Sequence, residues 1–146
     1  MKLFILNGPN LNMLGKRDAG QYGSDTLEDI EHMLIDSFPD YEMTFLQSNL
    51  EGELVNAIQS LVDDDSGFDG LIANFGGYTH TSVAIRDALE ILDIPVVEVH
   101  LSNIHAREDF RETSLTGAMA NGIITGFGKH SYMLGVYAME KLVSDL

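Results

Sequence analysis

The sequence predicts an α/β fold with a doubly wound parallel sheet of five strands, and three observations carry that prediction. Five short apolar runs, KLFIL, EMTFLQ, GLIAN, PVVEVHL and GIITGFG, are each bounded by Gly, Pro, Asn or Asp in the manner of buried strands. The segments between them carry the period of amphipathic helices. The runs themselves are nearly continuous in apolar residues, as strands covered by helices on both faces must be.

The elements follow in order. The first strand ends where Asn7, Gly8 and Pro9 break the run. The first helix opens at the N-cap candidates Ser24, Asp25 and Thr26 and sets Leu27, Ile30, Leu34 and Phe38 on one face. Its opening turns hold Glu28, Asp29 and Glu31, where negative charge suits the helix dipole. After the second strand, Leu54, Ala57, Ile58, Leu61 and Val62 share a helical face that ends in the acidic run Asp63 to Asp65. The third strand leads to a helix from about Ser82 to Leu92, stopped by Pro95. A weaker, short helix is expected around Arg107 to Thr113 after the fourth strand, and a last one over about Ser131 to Val143 after the fifth. Five strands alternating with helices in 146 residues fit the small flavodoxin-like order 2-1-3-4-5. No period of about 20–50 residues recurs and no linker divides the chain, so residues 1–146 are expected to form a single domain.

Composition narrows the function. A formal charge of -15, from 8 basic and 23 acidic residues, argues against nucleic acid and anionic membranes as partners, since both need a basic footprint. It also makes any local cluster of Arg informative. With no cysteine there is neither a disulfide framework nor a thiolate metal site. The N-terminal apolar run is too short for a signal peptide, and no stretch approaches the ~18 residues of a membrane span, so a cytoplasmic protein is expected.

Ligands of open parallel sheets bind at the carboxyl ends of the strands, by preference where strand order reverses. Polar segments follow three strands that the proposed order makes neighbours: NGPNLNMLGKRDAGQYG after the first, NFGGYTHTS after the third, and EVHLSNIHAREDFR on and after the fourth. The first carries Asn10, Arg17 and Tyr22. It reads either as a solvated connection or as acid–base machinery, because a phenol with a pKa near 10 becomes a usable base when a cation such as Arg17 favours the phenolate. A Walker phosphate loop is excluded, since G-x-x-x-x-G-K-[ST] is absent. In the second segment a tight turn and helix cap explain Gly76, Gly77 and Ser82, but leave Asn74 and His80, side chains suited to a hydroxylated ligand. In the third, Glu98 and His100 share the polar face of a strand that should be buried, which marks them as a paired orienter and general acid, or as a satisfied core histidine. Arg107 and Arg111, four apart, share a face if helical; they are either ordinary surface arginines or ligands of one anion. No metal site is expected: H-E-x-x-H is absent, and His32 and His130 read as surface.

These segments closely resemble the type II 3-dehydroquinate dehydratases, the cofactor-free dehydroquinases of the shikimate and quinate routes. The resemblance rests on NGPNLNMLGKR followed by Tyr22-Gly23, QSNLEGELV from Gln47, NFGGYTHTSVAIRDA from Asn74 and EVHLSNIHAREDFRETS from Glu98, in order across most of the chain. It implies that Tyr22 is the catalytic base, Arg17 the group that makes it acidic enough, His100 the proton donor supported by Glu98, and Asn10 an enolate stabiliser. It further implies that Asn74, His80 and Arg111 hold substrate, that the backbone N–H groups of Leu101 and Ser102 hold its carboxylate, and that Asp87 reaches a neighbouring subunit's site. The implied substrate is 3-dehydroquinate, without cofactor, and the implied assembly is a dodecamer built from trimers. Two positions depart from the family pattern: Arg17-Asp18-Ala19 stands for Arg-Glu-Pro, and Asn74-Phe75-Gly76 for Asn-Pro-Gly. Ala19 in place of Pro predicts a looser lid.

Imine chemistry on a lysine is the competing route to the same product, but of Lys2, Lys16, Lys129 and Lys141 only the loop residue Lys16 comes near a strand end. A non-catalytic flavodoxin-like binding or signalling module is the alternative from another class. A receiver domain would need acidic residues where this chain has Asn7 and Asn74, and a flavin binder a hydroxyl-rich loop where it has NGPNLN.

Overall fold

The computed structural model describes every residue from Met1 to Leu146. Strands β1 (Lys2–Asn7), β2 (Glu42–Gln47), β3 (Gly70–Asn74), β4 (Val96–His100) and β5 (Gly122–Thr125) pair in parallel in the order β2-β1-β3-β4-β5, as the sequence predicts. The helices are α1 (Ala19–Tyr22), α2 (Leu27–Ser37), α3 (Glu51–Gln59), α4 (Val83–Glu90) and α5 (His130–Ser144).

Strand side chains divide by parity onto two faces. Leu3, Ile5, Ile72, Val97 and Val99 pack with Ile30 and Leu34 of α2 and Val136 and Met139 of α5. Phe4, Leu6, Leu71, Ala73 and Val96 pack with Leu54 and Ile58 of α3 and Ile85 and Leu89 of α4. Both faces of β1, β3 and β4 are buried, which is why their runs are so rich in apolar residues; the edge strands β2 and β5, expected to be buried as well, hold no fully buried residue because each has a neighbouring strand on one side only. Local signals set the helix starts: Thr26 and Asp29 form a reciprocal capping box at α2, and Ser82 accepts from the Ile85 N–H at α4. No helix is long and apolar enough to cross a membrane.

One expected element is corrected. The helix around Arg107 to Thr113 is replaced by two 3-10 turns, Ile104–Ala106 and Asp109–Arg111. Asn103 accepts from the His105 N–H and starts the first turn, and the extended backbone of Arg107 (φ -114°, ψ -156°) stops helix from passing between them. The switch point lies between β1 and β3, whose last residues Asn7 and Asn74 are register partners. Their exits lie so close that a Cβ on Gly8 would stand 2.6 Å from the Phe75 carbonyl oxygen, so only glycine fits.

Candidate active site

The carboxyl ends of β1, β3 and β4 open into a crevice of about 550 Å³, counting space shared with solvent. Asn10, Arg17 and Tyr22 reach it from the first polar segment and Asn74 and His80 from the second. The third supplies His100, Leu101, Ser102, Arg107 and Arg111. No Asp or Glu lines it, while three of the chain's eight basic residues do. In so acidic a chain this is a focus of positive potential that favours an anionic ligand.

The first segment folds back on itself. Asp18 accepts from the Gly20 N–H at 2.9 Å and caps the four-residue helix α1. That turn returns Tyr22 to Arg17, whose Nη2 donates to the phenol oxygen at 2.8 Å. The Arg17 guanidinium carbon lies 3.8 Å from the ring centroid, and that of Arg107 lies 5.2 Å from it. Arg107 Nη1 also donates to Ser102 Oγ at 3.3 Å. Arg107 and Arg111 thus reach one crevice, though not by the helical spacing that suggested it.

Glu98 and His100 lie on the same face of β4 as Val96, at a position where an unpaired charge would be prohibitive. Glu98 is fully buried and does not line the crevice; its carboxylate accepts from His100 Nε2 at 3.1 Å, Ser114 Oγ at 3.1 Å and Thr116 Oγ1. The Ser114 oxygen itself accepts from the Gly117 N–H at 2.8 Å, which turns its hydroxyl proton toward Glu98. Because a carboxylate accepts only, Nε2 of His100 carries hydrogen, and Nδ1 is the ring nitrogen left for the crevice. His100 is therefore both a satisfied buried histidine and a member of the crevice wall.

The remaining candidates divide clearly. Asn10 sits at φ 68°, the one non-glycine residue of positive φ, with its N–H held by Asn49 Oδ1 at 2.9 Å and its own amide free of protein partners. His80 Nδ1 meets the Thr113 carbonyl at 2.8 Å, so that nitrogen donates and Nε2 is left as an acceptor. Partial burial lowers the His80 pKa below its ordinary value, which favours this neutral form. The backbone N–H groups of Leu101 and Ser102 have no acceptor in the chain. Arg111 Nε donates to Glu108 at 2.5 Å, and this hydrogen bond holds the Glu108 carboxyl below its usual range. Asp87 lies exposed on α4, outside the crevice of its own chain. Sequence reasoning missed Ser114 and Thr116, and it missed Tyr132, whose hydroxyl lies between Asn7 and Asn74. The available signal for Tyr132 was a phenol on the buried face of the last helix, which must find a polar partner.

A model of the class II dehydroquinase family matches residues 1–140. The chain belongs to that family. It is 52% identical to a 3-dehydroquinate dehydratase of Fusobacterium nucleatum, across 96% of this chain and 97% of the relative, and 47% identical to one of Thermotoga neapolitana, across 99% and 98%. Among solved structures, the type II dehydroquinase of Butyrivibrio crossotus superposes with a TM-score of 0.91 at 39% identity, covering 96% of this chain and 97% of that one. That of Propionibacterium acnes gives 0.88 at 34%, covering 98% and 96%. Membership in the dehydroquinase family agrees with the sheet order and with the polar segments gathered at the ends of β1, β3 and β4.

Proposed function

We propose that this chain dehydrates 3-dehydroquinate to 3-dehydroshikimate, the hydro-lyase step of the shikimate pathway, through an enolate with Tyr22 as base and His100 as acid. The observation that carries the reading is a phenol held by Arg17 and an imidazole held by Glu98 in one crevice that contains no carboxylate. A cation that donates a hydrogen bond to a phenol oxygen favours the anion, which is the form a base requires. Tyr22 removes the proton beside the ketone and the electron pair moves onto the ketone oxygen, where Asn10 donates to the enolate. The enolate then collapses, the bond to the hydroxyl on the β carbon breaks, and a proton from His100 lets the hydroxyl leave as water.

Binding follows the same chemistry. The unpaired N–H groups of Leu101 and Ser102 suit the substrate carboxylate, with Arg111 nearby, while Asn74 and the Nε2 acceptor of His80 suit ring hydroxyls. Each step is a proton transfer or a carbon–oxygen cleavage, so no cofactor or metal is called for. A lysine imine has no support: Lys2 pairs with Glu42, Lys129 with Asp25, and no lysine lines the crevice. The reading extends to a cytoplasmic homo-oligomer, a dodecamer of trimers, in which Asp87 serves a neighbouring crevice; its exposure on α4 away from its own supports this.

Adding 3-dehydroquinate to the purified protein and following ultraviolet absorbance tests the activity, because the product is a conjugated enone and the substrate is not. A rising trace is expected; a flat one contradicts the proposal and favours a non-catalytic binding module.

A further inference from the structure

A buried phenol that the proposed reaction does not use sits at the switch point. Tyr132, in the first turn of α5, is 0% exposed. Its hydroxyl donates to Asn7 Oδ1 at 2.6 Å, and its oxygen accepts from Asn74 Nδ2 at 3.1 Å. Asn7 and Asn74 are themselves buried and end the two strands between which the order reverses. Burial pushes the Tyr132 hydroxyl far above the ordinary phenol range, so it keeps its proton throughout the working range of pH.

That single proton decides the rest. With it directed at Asn7, whose Nδ2 has no partner, the phenol oxygen offers Asn74 only an acceptor. Asn74 must therefore turn Nδ2 toward Tyr132, and its Oδ1 is taken by the Gly76 N–H at 3.1 Å. Both ends of the amide are fixed, and a flip would face donor to donor at Gly76 and acceptor to acceptor at Tyr132. The donor left over is the second Nδ2–H of a residue that lines the crevice.

We propose that Tyr132 is a positioning residue for substrate binding, locking the Asn74 amide in the orientation that offers an N–H to a substrate oxygen. This rests on the reading of Asn74 as a substrate ligand given above. Tyr132→Phe keeps the ring and removes only the hydroxyl, so the Asn74 amide keeps the Gly76 N–H on Oδ1 but loses the partner that holds Nδ2, and part of its ordering falls to each incoming substrate. KM is expected to rise roughly 5- to 10-fold, the scale of one hydrogen bond, with kcat changed by less than about 2-fold.

The experiment measures kcat, KM and Tm for wild type, Tyr132→Phe, Asn74→Ala and the double variant. Asn74→Ala is expected to raise KM at least as much, and Tyr132→Phe to add less than about 2-fold to it, because both remove one contact. An unchanged KM in Asn74→Ala overturns the assignment of Asn74, and the inference with it. A raised KM in Asn74→Ala beside an unchanged KM in Tyr132→Phe overturns the inference alone, even if Tm falls, since a purely structural tyrosine moves Tm and not KM. Fully additive KM effects overturn it too. If Tyr132→Phe does not fold, Asn7→Ala carries the same test by removing the acceptor that aims the Tyr132 proton, and an unchanged KM there is decisive against the proposal.

Discussion

Replacing Glu98 by Gln removes one buried negative charge and almost nothing else. The carboxylate accepts from His100 and Ser114 on one oxygen and from Thr116 on the other. A Gln side chain keeps an oxygen for the first pair if its amide nitrogen turns toward Thr116, whose hydroxyl reverses to accept. The ring orientation of His100 survives and the charge does not. With charge centres on the order of 4 Å apart, the attraction lost to a protonated His100 is about 4 kcal/mol at an effective dielectric of about 20. At about 1.4 kcal/mol per factor of ten, the ceiling on the loss is about 10³-fold. The enone assay at saturating substrate should therefore show kcat reduced by about 10²- to 10³-fold, with KM within about 3-fold. Thermal unfolding should show no loss of Tm, since a neutral amide is less costly to bury than a carboxylate. A kcat within about 3-fold of wild type refutes the reasoning that this charge supports the proton on His100; a large fall in Tm shows the carboxylate to serve folding instead.

Other expectations follow from the same geometry. Arg17→Ala removes the donor 2.8 Å from the Tyr22 oxygen and should lower kcat by about 10²-fold in the same assay, with Tm little changed because the pair lies in a partly exposed loop. The His80 imidazole is held below its ordinary 6.5 by burial, so as pH falls the unfolded chain takes up that proton first. Stability should fall as pH drops through about 6.5 and level off below the folded value, and His80→Asn should flatten that part of a Tm-against-pH curve. A Cβ on Gly117 would stand 2.6 Å from Ser114 Oγ and 3.1 Å from Glu98 Oε2, so Gly117→Ala should destabilise by about 1–3 kcal/mol in denaturant unfolding and depress kcat by disturbing the donors around Glu98.

The parts legible in the sequence are those whose causes are local or periodic. Burial on two faces makes strands such as Leu3 to Leu6 and Leu71 to Ala73 read as apolar runs, and Thr26 with Asp29 announces α2 within four residues. The segment from Arg107 to Thr113 was misread because its charges suit a helix, while what shapes it is tertiary: Arg107 lies over Tyr22, far away in sequence, and Arg111 is drawn to Glu108. Glu98 and His100 announced themselves as polar residues on a buried strand. Their hydroxyl partners did not, because Ser114 and Thr116 come from 16 and 18 residues further on and a single buried hydroxyl leaves no periodic mark. Nothing local marks Tyr132, and only the register of Asn7 against Asn74 shows what its hydroxyl holds.

The central claim is that Tyr22 is the base, and Tyr22→Phe tests it most directly, since it removes the phenol oxygen and leaves the ring beneath Arg17. With 3-dehydroquinate and enone absorbance as the readout, kcat should fall at least about 10²-fold while the variant keeps its Tm and its substrate affinity. An unimpaired Tyr22→Phe would contradict the account and require a different base in the crevice.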